Sequence, residues 1–119
     1  MLFVRGLSSV AQTLAVPLST SRQYSFSFHA AYRKDSLPSG APQPTPTGEV
    51  TLTSSTSDTL LASTVMSTGV LVPGVMRLFT VTFIPPASVA GENIVVRIAT
   101  TQSSGQINYD LLSLKVTAL

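Results

Sequence analysis

The sequence predicts an all-β protein, an antiparallel β-sandwich of the jelly-roll kind with about eight strands. Three observations carry that expectation. Apolar and polar residues alternate with period two along most of the 119 residues, and the 3.6-residue period of amphipathic helices is nearly absent. Clusters of Pro, Gly, Ser and Asp interrupt the alternation at a spacing of roughly 10 residues, as turns between short strands do. Val and Thr, which suit a pleated surface, are abundant. The length fits one domain, residues 1–119, able to bury a core without metal or disulfide; there are no cysteines.

Each element follows in chain order. Residues 9–16 (SVAQTLAV) set Val10, Gln12, Leu14 and Val16 against Ala11, Thr13 and Ala15. Residues 22–33 (RQYSFSFHAAYR) form the longest strand, with Tyr24, Phe26, Phe28, Ala30 and Tyr32 on one face and Gln23, Ser25, Ser27, His29 and Ala31 on the other. Segment 34–48 (KDSLPSGAPQPTPTG) holds four of the eight prolines and reads as an exposed loop, since proline cannot donate to a ladder. Residues 49–53 form a short strand with Val50 and Leu52 inward, 60–66 another, and 70–72 a third that closes at Pro73-Gly74. Residues 76–84 place Phe79, Val81 and Phe83 on one face before Pro85-Pro86 stops the strand. A turn at 87–92 with one helical twist leads to residues 93–101, where Ile94, Val96 and Ile98 alternate with Val95, Arg97 and Ala99. After a turn at 103–105, residues 106–119 form the last strand, with Leu112, Leu114 and Val116 inward. The aromatic row 24–32 is expected to fill the core, with Phe79 and Phe83 meeting it from the facing sheet.

Several of these stretches resemble a known family. Gln12-Thr13 followed by Tyr24, Ser27 and Phe28, then RLFTVTFIPPAS, then the closing run with Asp110, Leu112, Ser113 and Leu114, are similar to the galactose-binding-like jelly rolls of the carbohydrate-binding-module type. The resemblance spans about residues 7–119 and implies the same sandwich, glycan binding and, often, a structural calcium. The chain departs from the family in having only MLFVR before the first matched strand and in lacking Trp, a frequent sugar platform.

The chemistry-bearing residues are few. The five acids are Asp35, Glu49, Asp58, Glu92 and Asp110, and four of them fall in or beside turns; the single histidine, His29, lies on a polar strand face. Neither a flanking carboxylate pair nor a Ser-His-Asp grouping is apparent, so no catalytic residues and no enzyme activity are expected. Zinc is disfavoured without cysteine, Asp110 reads as an acceptor of backbone hydrogen bonds, and no metal or cofactor is expected. Only 10% of residues are charged and the net charge is +2. The cations are scattered, which argues against nucleic acid; no apolar run is long enough to span a membrane; and the first residues lack the continuous apolar centre of a signal peptide.

The function expected on these grounds is a non-catalytic structural module. It would decorate or build a surface assembly such as a virion, on a phage capsid or tail, as a homo-oligomer. The apolar Leu2, Phe3 and Val4 would pair with a neighbour's sheet edge. The alternative is a glycan-binding module of a cell-surface or secreted protein. In either case, ligand contacts are expected from the polar face, at Gln23, His29, Arg33 and Arg97.

Overall fold

The computed structural model describes residues 2–5, 9–32, 47–66, 74–100 and 106–119. Within them are eight strands: β1 (Leu2–Arg5), β2 (Ser9–Leu14), β3 (Arg22–Tyr32), β4 (Gly48–Ser54), β5 (Leu60–Met66), β6 (Arg77–Phe83), β7 (Ile94–Thr100) and β8 (Gln106–Ala118). They form two four-stranded antiparallel sheets, in the order β1-β8-β3-β6 and β2-β7-β4-β5. That pair of orders is a jelly roll, a β-sandwich whose chain crosses between sheets at most connections. A single 3₁₀ turn, Ala87–Val89, stands where one helical twist is expected. The strand expected at 70–72, most of the proline-rich loop and the turn at 103–105 lie outside the described residues.

The inward rows read for β3, β4 and β7 are buried, whereas those of β2, β6 and β8 include half-buried or exposed residues. Tyr24, Phe26, Phe28 and Ala30 of β3 pack with Val50 and Leu52 of β4, Met66 of β5, Ile94, Val96 and Ile98 of β7, and Ile107 and Tyr109 of β8. Burying each large apolar side chain stabilises the fold by roughly 2 kcal/mol. The aromatic contacts differ from the expectation in one respect. Phe83 and Phe79 meet Tyr24 and Phe28 as cross-strand neighbours within one sheet, with ring centroids 5.3 and 5.4 Å apart and nearly parallel planes. The β3–β6 register places these residues directly opposite one another; it is a strand pairing that brings the rings together.

Polar side chains fasten the connections. The Tyr24 hydroxyl donates to the Pro17 carbonyl (3.0 Å) and accepts from the Ser19 amide (2.9 Å), so the segment entering β3 is held by a core residue. Glu92 lies just before β7 and reaches the β4–β5 turn, where its carboxylate accepts from the Thr56 and Ser57 amides, both at 2.8 Å, and from the Ser57 hydroxyl. At the buried Gly48, an added Cβ would stand 2.7 Å from Ile107 Cδ1 and 3.0 Å from the Tyr109 hydroxyl, so the sheets meet there over glycine alone.

β8 contains one irregularity. Its pairing with β3 shifts by one residue between Ser27↔Ser113 and His29↔Asp110, so Leu111 and Leu112 together oppose Phe28. This is a β-bulge, and Leu111 carries it with a φ of 53°. A non-glycine residue in that left-handed region costs roughly 1–2 kcal/mol. Asp110 Oδ1 accepts the Leu111 amide at 2.9 Å, the backbone-acceptor role read for this carboxylate from the sequence.

Candidate functional site: an apolar cleft between the sheets

Among the described strands β2 lies at a sheet edge beside β7, with Val10, Gln12 and Leu14 opposite Ile98, Val96 and Ile94. Across from it stand Phe26 of β3 and the second half of β8, where Leu114 pairs with Phe26. At this end the two sheets do not close on each other. They leave a cleft of about 320 Å³ walled by Val10, Leu14, Phe26, Val96, Ile98, Leu112 and Leu114, with Gln12 and Ser113 as its polar members. Val10 is 45% exposed and Leu112 42% exposed although both belong to inward-facing rows, which is the direct sign that the rows part here.

The cleft is chemically simple. Among its described lining residues there is no carboxylate, imidazole, amine or guanidinium. Its walls are apolar, and the Gln12 amide offers one donor and one acceptor function at an otherwise apolar surface. Pockets for small molecules combine these two properties, apolar walls and a few placed polar groups.

The residues expected to bind a ligand are not brought together. Gln23 and His29 stand on the outer face of the β1-β8-β3-β6 sheet, whereas Arg97 is exposed on the outer face of the other sheet, because Ile94, Val96 and Ile98 take the inner positions of β7. Arg33 lies outside the described residues. Topology thus keeps Gln23 and His29 on one side of the sandwich and puts Arg97 on the opposite side. His29 sits half-buried between Leu78 and Asp110 in register, with its Nδ1 enclosed and unpartnered. Leu2, Phe3 and Val4 belong to β1, whose backbone pairs within the chain to Tyr109, Asn108 and Ile107 of β8.

Among the described residues two titratable groups are shifted, and neither lines the cleft. The backbone hydrogen bond from Ser57 holds the Glu92 carboxyl below the ordinary glutamate range, as expected of an anchor for the hairpin turn. Burial pushes the Tyr109 phenol upward, and its hydroxyl is enclosed without a hydrogen-bond partner.

The cleft residues were in view in the sequence only as strand alternation. One signal did distinguish them. Gln12 interrupts an inward row between Val10 and Leu14, and an amide at an inward position needs either a partner or an opening.

Fold and cleft together define a jelly roll with a small-molecule-sized opening between its sheets. Solved structures match this fold. A cyclase from Fischerella sp. TAU in complex with 4-(1H-indol-3-yl)butan-2-one aligns over 95% of this chain and 58% of its own, with a TM-score of 0.78 and 23% identity. The Stig cyclase Fisc from Fischerella sp. TAU, in complex with (3Z)-3-(1-methyl-2-pyrrolidinylidene)-3H-indole, covers 95% of this chain and 57% of its own at a TM-score of 0.78 and 23% identity. An apo-form cyclase from Fischerella sp. gives 0.77 at 20% identity, with 95% of this chain and 56% of its own covered. This chain thus spans a little over half the length of these neighbours. No protein-family model and no curated protein sequence matches it.

These neighbours correct two expectations. The expectation was a non-catalytic virion decoration module, with a glycan-binding module as its alternative; the neighbours that share the fold over 95% of this chain are instead cyclases, two of them in complex with indole-containing molecules. The expectation that the chain is no enzyme falls with it. That expectation rested on missing acid–base groupings, and an apolar cleft shows little of itself in titratable residues. The opening also lacks the array of hydrogen-bonding groups that a sugar requires.

Proposed function

We propose that this chain is the jelly-roll part of a cyclase-type enzyme and binds a flat, apolar heteroaromatic molecule in the cleft between β2–β7 and β3–β8. The observation that carries the reading is the cleft itself: about 320 Å³, apolar on both walls, with a single amide among its described lining residues. That volume lies at the small end of ligand pockets. The likeness to indole-bound cyclases supports the ligand class. Ring closure requires a flexible chain to be folded onto its ring and water to be kept away, and closely spaced aliphatic walls supply both. Phe26 offers a ring against which a planar ligand can stack. Gln12 would hold a ring N–H or a carbonyl and so fix the ligand's orientation.

Calorimetric titration with 4-(1H-indol-3-yl)butan-2-one tests this. The wild-type chain is expected to bind it saturably, and Leu114→Trp, which fills the cleft from the β8 side, to abolish binding while still unfolding cooperatively. Absence of binding by the wild type, or undiminished binding by folded Leu114→Trp, contradicts the reading.

A further inference from the structure

The bulge in β8 divides two environments. On one side of it Tyr109 is fully buried; on the other Leu112 is 42% exposed and lines the cleft. Phe28, which faces the bulge, is fully buried, and Phe26, one inward step further along β3, forms part of the cleft wall. The closed core therefore becomes the open cleft at the point where Leu111 is inserted.

The insertion is locally unfavourable in two ways. Leu111 occupies a left-handed conformation that suits glycine, at φ 53°, and its side chain is 66% exposed, so burial returns nothing for the strain. It also serves no pattern. Ile107 and Tyr109 face inward before it, Leu112, Leu114 and Val116 share the inward row after it, and removing Leu111 would leave these five in unbroken alternation. A strand with perfect alternation is available one deletion away, and the chain does not use it. Strained positions that break a local rule without a packing gain gather at functional sites.

We propose that the Leu111 bulge is the element that opens and shapes the cleft. By adding twist and bend to β8 it tilts the Leu112–Leu114 wall away from β2 and sets the width that admits the ligand. Leu111 is thus a positioning residue, acting through Leu112 and Leu114. The inference rests on the binding role proposed for the cleft.

Deletion of Leu111 tests it, because the inward residues and their β3 partners persist and only the bulge is lost. Binding of 4-(1H-indol-3-yl)butan-2-one is measured by calorimetry on the wild type, the deletion variant, Leu111→Gly and Leu111→Val. The deletion variant is expected to melt cooperatively at or above the wild-type temperature and to bind at least tenfold more weakly. Leu111→Gly, which keeps the bulge and relieves its strain, is expected to melt higher and bind within twofold of wild type. Leu111→Val, whose β-branch resists the left-handed conformation, is expected to lose binding in its folded fraction. That glycine–valine contrast decides the matter even if the deletion variant does not fold. Wild-type binding retained by the deletion variant, or equal binding by the glycine and valine variants, overturns the role of the bulge and leaves the cleft reading standing. A wild type that does not bind overturns both.

Discussion

The two halves of this sandwich carry the same sequence pattern and end in opposite states. Phe28, Val50, Leu52, Met66 and Tyr109 are closed off from solvent. Along β2 and the second half of β8, the inward row contains Val10 and Leu112, each more than 40% exposed. Alternation dictates which face of a strand turns inward. Whether the opposite sheet then closes over that face depends on bend and separation, and here a one-residue insertion in β8 marks the boundary.

The comparison can be broken by matched substitutions. Phe28→Ala in the closed half is expected to cost about 3–5 kcal/mol, because it removes a buried ring stacked on Phe79 and leaves a cavity. Leu112→Ala in the open half should change stability by no more than about 1 kcal/mol, since much of that side chain is already in water. Urea unfolding of the pair measures both, and equal losses would show that the cleft is part of the load-carrying core. A smaller effect of opposite sign is expected at Tyr109. Its hydroxyl is buried without a partner, so Tyr109→Phe removes a desolvated polar group and should raise stability by about 1 kcal/mol in the same assay. A loss instead would mean that the hydroxyl has a partner in solution.

Much of the fold was legible from local pattern. The strand Arg22–Tyr32, the inward rows of β4, β6 and β7, and the core role of Tyr24, Phe26 and Phe28 all follow from period-two alternation and from turn residues. The two-sheet arrangement followed from strand number and spacing. What was not legible depends on residues far apart in the chain. The stacking of Phe79 on Phe28 is a matter of register between strands about 50 residues apart in the chain. Arg97 and His29 stand on polar faces in both sequence and structure, but the crossing topology puts those faces on opposite sides of the molecule. The cleft was the least visible feature, because its walls use the same Val, Leu and Ile that fill a core. Only Gln12 in an inward row, and the doubled leucine at 111–112 that breaks the alternation of β8, mark it in the sequence. The function expected from composition failed for the same reason: an apolar cleft contributes no charged motif to read.

The most direct test of the account is a map of amide chemical-shift changes on titration with 4-(1H-indol-3-yl)butan-2-one. The account predicts changes concentrated at Val10, Gln12, Leu14, Phe26, Val96, Ile98 and 112–114, on facing strands of the two sheets. Changes centred on the outer face around Gln23 and His29, or no saturable change at all, would contradict it.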